Sequence, residues 1–235
     1  MHTDDKAPGG CLLCGKPLRY FPESREMTCA LCGGVFRSSA ACEAMHYICD
    51  SCHANGSTAL ILERCAASAG RNPIELAAQI MRSPSIHMHG NEHHVLVGAV
   101  LLTAYHNCGG ELDRPAALAE MARRGGAYPG GACGLWGCCG AAVSAGMFVS
   151  IARGVNPLSG EPWSLANQMT AEALSAIAAH GGPRCCKRDS FAAITAAARF
   201  SAEHFGIVME LPAKIRCTFS DQNRECLGSA CPYSG

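Results

Sequence analysis

Cys42-Glu43-Ala44-Met45-His46-Tyr47-Ile48-Cys49-Asp50-Ser51-Cys52 sets three cysteines and a histidine in one short stretch, spaced Cys-x3-His-x2-Cys-x2-Cys. Soft thiolates and an imidazole at these intervals are the ligand types and spacing of a structural zinc site. Upstream lie Cys11-x2-Cys14 and Cys29-x2-Cys32, each running into a glycine, Gly15 and Gly33. A CxxC turn ending in glycine aims backbone N–H groups at the sulfurs, and glycine supplies the left-handed residue that closes the turn. Cys11, Cys14, Cys29, Cys32, Cys42, His46, Cys49 and Cys52 make eight ligands, enough for two tetrahedral zinc ions. Two pairings are open. A cross-brace joins the first pair with the third and the second with the fourth. Sequential use makes Cys11/Cys14/Cys29/Cys32 one site and Cys42/His46/Cys49/Cys52 the other. The cross-brace is preferred. Metal here substitutes for a core too small to fold alone. Closed four-ligand sites leave no position for substrate, so this module is expected to be scaffold or docking surface.

Outward from this module, the 235-residue chain is balanced in charge, with 19 Lys plus Arg against 19 Asp plus Glu. No whole-chain field favours nucleic acid or an acidic membrane surface. Charged residues reach only 16%, which points to a compact, heavily buried protein. The start, MHTDDKAPGG, lacks a basic segment followed by an apolar run, so no secretory leader is expected. The 17 cysteines are then expected to be reduced, in a cytoplasm, and to read as metal ligands rather than disulfides. So many thiols would suit an anaerobe.

The fold class expected is mainly α: a small N-terminal Cys/His zinc module over 1–56, then an α-helical domain over 57–235. Helical patterns start at Ser57 and recur near 73–82, 92–106, 114–124, 138–153, 164–179 and 189–204. Asn91, Pro115 and Gly181-Gly182-Pro183 give start and stop signals. A short strand-like segment, IleValMetGluLeu, lies at 207–211. The stretch from Gly125 to Ala152 has no charge, yet Pro129 and several glycines interrupt it, so a central buried helix is preferred over a membrane span.

Three groups in this domain carry candidate chemistry. His87-Met88-His89-Gly90-Asn91-Glu92-His93-His94 clusters four imidazoles around a turn and a helix start, with His89, His93 and His94 as candidate bases. Pro129-Gly130-Gly131-Ala132-Cys133-Gly134-Leu135-Trp136-Gly137-Cys138-Cys139-Gly140 places Cys133, Cys138 and Cys139 before a long apolar helix. There, N-terminal N–H groups would lower a thiol pKa or favour an anion or metal. Gly181-Gly182-Pro183-Arg184-Cys185-Cys186-Lys187-Arg188 makes Cys185 and Cys186 candidate reactive thiols, with Arg184, Lys187 and Arg188 to clamp an anionic substrate. The tail Cys217-x8-Cys226-x4-Cys231-Pro232 looks like an iron–sulfur ligand run without a common ferredoxin spacing.

The motifs HisMetHisGlyAsnGluHisHis, CysGlyLeuTrpGlyCysCysGly and GlyGlyProArgCysCysLysArg, with the tail cysteines, resemble an uncharacterised domain family of anaerobic bacteria and archaea. The resemblance spans nearly the whole chain. It implies a Cys-rich head on this α-domain, sometimes beside a class I methyltransferase. A similarity of layout alone links the chain to iron–sulfur serine dehydratases and cysteine desulfidases.

The leading expectation is an iron–sulfur-dependent, non-redox enzyme of the lyase or sulfur-transfer type, acting on a small anionic substrate. Cys217, Cys226 and Cys231 would hold a [4Fe–4S] cluster, with an open iron or a fourth ligand from Cys133, Cys138, Cys139, Cys185 or Cys186. The alternative is a zinc- and thiol-bearing binding or delivery protein that partners a methyltransferase or sulfur-transfer enzyme. A zinc-finger regulator of nucleic acid ranks third, because no basic, aromatic-bearing stripe is present.

Overall fold

The computed structural model describes Cys11 and residues 13–234. The chain divides into two compact units, Met1–Gly56 and Ser57–Gly235.

The first unit is built on an antiparallel hairpin of β1, Leu18–Thr28, and β2, Val35–Cys42. The register pairs Leu18 with Cys42 and Thr28 with Val35, with an irregularity between Tyr20 and Arg25. Most of its residues are exposed on both faces, so no apolar layer holds it. A two-stranded hairpin alone is marginal in water. Its buried residues are instead cysteines and their neighbours: Cys11, Met27, Cys29, Ala41, Cys42 and Cys49. Sequence reading found the candidate ligands and missed this hairpin, because strand alternation reports burial on one face and here there is none.

Helix α1, Asp50–Ala67, runs across the division between units. The second unit continues with α2, Pro73–Met81; α3, His93–Asn107; α4, Arg114–Ala127; and the short α5, Ala132–Leu135. Then follow α6, Gly140–Ala152; α7, Glu161–Ala178; and α8, Cys186–Phe205. The mainly α class holds. Of the expected start signals, Pro115 stands in the first turn of α4, whereas α1 begins at Asp50 rather than at Ser57 and α3 is preceded by Glu92, not capped by Asn91. Asn72 Oδ1 accepts from the N–H groups of Ile74 and Glu75, both at 3.1 Å, ahead of Pro73. Asp113 Oδ1 accepts from Ala116 N at 3.0 Å, ahead of Pro115.

α3 is the centre of the core. Nearly every residue from Val95 to Tyr105 is buried, and α2, α4, α6 and α8 pack round it. A helix apolar on all sides is one wrapped by others. α6 comes close through Ser144, whose hydroxyl accepts from Gly98 N at 2.9 Å, and its far side packs on α7. The apolar part of the uncharged stretch is thus a buried helix, α6, and no helix among the described residues is long and apolar enough to cross a membrane. The expected strand at 207–211 is a correction: those residues form no strand and join no sheet. Met209 sits in the core, while Val208 is exposed.

Candidate metal centre

In the first unit, two turns repeat one construction. Gly15 N donates to Cys11 O at 2.7 Å, and Gly33 N donates to Cys29 O at 2.9 Å, with φ of 71° at Gly15 and 72° at Gly33. Both glycines adopt the left-handed conformation their position demands. A third turn closes on Met45, at φ 61°, whose N–H donates to Cys42 O at 2.8 Å.

These turns bring the eight candidate ligands into two interleaved quartets. Cys11, Cys14, Cys42 and His46 form one, and Cys29, Cys32, Cys49 and Cys52 the other, with the donor atoms of each within 4.8 Å of one another. Cys14 and Cys42 sulfurs lie 3.7 Å apart, as do those of Cys32 and Cys49, and Cys11 Sγ is 3.8 Å from His46 Nδ1. A tetrahedron of zinc–sulfur bonds about 2.3 Å long has edges of about 3.8 Å. Each quartet can therefore hold a metal ion, and the arrangement is the cross-brace: first pair with third, second with fourth. Backbone amides support the sulfurs, His46 N on Cys42 at 3.2 Å and Cys49 N on Cys29 at 3.3 Å. Burial would raise the Cys29 thiol, but the N–H groups of Cys49, Cys32 and Leu31 hold it at about 6. Cys52, hydrogen-bonded to Cys49 in the same crowd of sulfurs, is pushed up to about 12. Packed thiols that cannot all ionise together are completed by a cation.

In the second unit the candidate residues fall into different roles. His93 is fully buried; its Nδ1 lies 3.1 Å from Gly90 O, and burial pushes it down to about 3. His94 is packed edge-on against Tyr128, with Nδ1 3.3 Å from Tyr128 O and its ring against the Cα of Gly140. Gly140 and Gly125 thus permit close helix contacts; a side chain at Gly125 would meet His94 O at 2.7 Å. The glycines were expected to open a ligand cradle before α6. Gly140, at the start of α6, admits the His94 ring instead.

Cys139 is the N-cap of α6, and burial, reinforced by the Asp189 charge, raises its thiol to about 11. Burial likewise raises Cys185, and Cys186 to about 12. The expectation of activated thiols at Cys139, Cys185 and Cys186 is therefore corrected: desolvation outweighs the neighbouring cations and amides. Those cations are themselves engaged. Buried Lys187 donates to Ile86 O at 3.3 Å and His87 O at 2.9 Å. Arg188 donates to Asp189 Oδ1 at 3.1 Å and to the carbonyls of Gly181 and Pro183, both at 2.9 Å. The anion clamp expected of Lys187 and Arg188 is replaced by bonds to the chain, and only Arg184 is exposed.

Cys133, Cys138 and Cys139 gather near Tyr128, whose hydroxyl donates to Cys138 O at 2.9 Å. The remaining thiols meet elsewhere. Cys185, Cys217, Cys226 and Cys231 line one pocket with Met88, Arg188, Phe219, Asn223, Leu227 and Tyr233. At its edge His89 Nε2 lies 3.2 Å from Asn223 Oδ1 and 3.3 Å from Glu225 Oε2. Three residues absent from the sequence-based candidates matter here. Glu92 is fully buried; burial would raise it, but His87, bonded to Oε1 through N at 2.8 Å and facing it with Nδ1 at 3.1 Å, holds it near 2. Asp189 lies between Cys139 and Cys185 N, and Asn223 between His89 and Cys185. A carboxylate or amide inside a His or Cys motif was the available signal.

Residues 61–234 match a family described as Family of unknown function (DUF5714). The chain belongs to this family. The DUF5714 match takes in the helical unit and the tail cysteines, and the eight ligands of the N-terminal module precede it. No curated protein and no solved structure matches the chain.

Proposed function

We propose that this is a zinc-binding protein whose N-terminal module holds two structural zinc ions as a cross-braced docking element for the helical unit's partners. The observation that carries the reading is the pair of interleaved quartets, each drawn to the spacing of one tetrahedral ion. Three thiolates with an imidazole, and four thiolates, are closed zinc sets. With no open position, the ions support the fold rather than react. A binding or delivery role, beside a methyltransferase or sulfur-transfer enzyme, fits better than catalysis by the histidine cluster, because His93 is buried and the half-buried His94 ring is packed against Tyr128 and Gly140. The reading as a lyase or sulfurtransferase with an iron–sulfur cluster keeps one support, the tail cysteines around the pocket with His89 at its edge.

Metal analysis of the full chain tests the proposal. About two zinc ions per chain are expected, and chelation should unfold the hairpin. Both tryptophans, Trp136 and Trp163, lie in the second unit, so their fluorescence should change little on chelation. A chain that folds its first unit without zinc contradicts the proposal.

A further inference from the structure

The tail is shaped around its sulfurs. Phe219 N donates to Cys217 Sγ at 3.4 Å and Gly228 N to Cys226 Sγ at 3.4 Å, each from two residues on. Arg188 N donates to Cys185 Sγ at 3.5 Å from the first turn of α8, and Asn223 Nδ2 adds a second donor at 3.6 Å. Amide-to-sulfur bonds of this kind also mark Cys29 and Cys42 in the N-terminal quartets. They stabilise thiolates, and a neutral buried thiol gains little from them. Cys217 N bonds Tyr233 O at 2.7 Å, which ties the segment after Cys231 to Cys217. Tyr233 is anchored in turn on Phe191, with ring centroids 5.6 Å apart.

The four sulfurs surround the pocket without closing on a single point. No three of them lie within 4.8 Å of one another, the spacing both N-terminal quartets reach. One ion needs the tight tetrahedron; a cluster of several irons and sulfides holds its cysteines farther apart. The walls suit a cluster too. Buried Phe219 and half-buried Leu227 and Met88 give the pocket apolar walls, and Arg188 lines it, while buried Lys187 stands 5.1 Å from the Phe219 ring. Lys187, which donates to backbone carbonyls, offsets part of the net negative charge of a thiolate-ligated cluster, while Arg188 is already paired with Asp189.

We propose that Cys185, Cys217, Cys226 and Cys231 ligate a [4Fe–4S] cluster in the helical unit. Assembly takes ferrous and ferric iron and sulfide, and each thiol loses one proton as its sulfur bonds an iron. With four cysteines the ligand set is closed. This centre therefore lacks the substrate-binding iron of a lyase, and its role is structural or one of electron transfer. The inference involves other residues, another unit and another metal than the two zincs, so either can fail alone.

Full-length protein is reconstituted anaerobically with iron and sulfide, and iron, sulfide and zinc are counted with the visible absorption spectrum. About four irons and four sulfides per chain are expected beside the zinc. Cys185→Ser, Cys217→Ser, Cys226→Ser and Cys231→Ser should each lose most of the iron and keep the zinc, while Cys133→Ser and Cys138→Ser keep both. Asn223→Leu, which removes one donor to Cys185 without touching a ligand, should keep the cluster and lower its reduction potential. No iron uptake with zinc bound, a third zinc in the pocket, iron that survives loss of Cys185, or an unshifted potential in Asn223→Leu would overturn the assignment.

Discussion

The Asn223 amide reaches the Cys185 thiol at 3.6 Å across 38 residues of chain, and its carbonyl oxygen faces His89 Nε2 at 3.2 Å. One buried side chain thus joins the tail, the start of α8 and the histidine turn. Asn223→Ala would remove one partner each from the His89 imidazole and the Cys185 sulfur, which keep Glu225 Oε2 at 3.3 Å and Arg188 N at 3.5 Å. A loss of about 1–3 kcal/mol is expected in the helical unit, read from the denaturant midpoint by tryptophan fluorescence. A midpoint unchanged in Asn223→Ala would remove Asn223 from the network.

Two adjacent glycines near the end of α4 should behave in opposite ways. A methyl at Gly125 would lie 2.7 Å from His94 O and 3.0 Å from Val95 Cα, both backbone atoms that cannot yield cheaply. Gly125→Ala should destabilise by about 1–3 kcal/mol. At Gly126 nothing lies within 4 Å, so Gly126→Ala should stabilise by up to about 1 kcal/mol through helix propensity. Thermal melts of the two variants check this, and equal effects would contradict the close approach of α3 and α4.

Acid should weaken the helical unit in two steps. His93 is depressed to about 3 from 6.5 by burial, with the Lys187 charge adding to it, while Glu92 and Gly90 O oppose. Between those values the unfolded chain binds a proton that the folded chain refuses, so stability falls as pH drops from 6.5 towards 3. Glu92, held near 2 against 4.5, adds a further loss between those values. Tryptophan-detected unfolding measured against pH should show both. His93→Phe should flatten the upper step, and an unchanged slope there would contradict a buried neutral His93.

Thiol reactivity should follow burial rather than the local count of basic residues. Cys65, buried and pushed up to about 12, and Cys186, also raised to about 12, should resist iodoacetamide in the native protein at neutral pH. Exposed Cys226 should react in the metal-free chain. Peptide mapping decides it; rapid alkylation of native Cys186 would restore the activated-thiol expectation.

The helices were legible because their apolar residues recur at helical spacing, with Pro115 in the first turn of α4, while the caps Asn72 and Asp113 became apparent only in the structure. The N-terminal quartets were legible because candidate ligand pairs repeat there at short spacing. The hairpin was not, since no apolar face imposes alternation on β1 and β2. The basic residues after Cys186 misled for a related reason. Sequence shows that Lys187 and Arg188 are cationic but not that they point inward onto carbonyls and Asp189. That Cys185, of the five thiols considered as a fourth ligand, joins the tail cysteines depends on how the tail returns to α8, which no local pattern encodes.

Zinc counting on paired substitutions tests the cross-brace most directly. Cys11→Ser with Cys42→Ser removes two ligands from one quartet, so about one zinc per chain should remain. Cys11→Ser with Cys29→Ser removes a ligand from each, and both zincs should be lost or weakened together. One zinc firmly retained in the second pair and none in the first would mean sequential sites and would contradict the account.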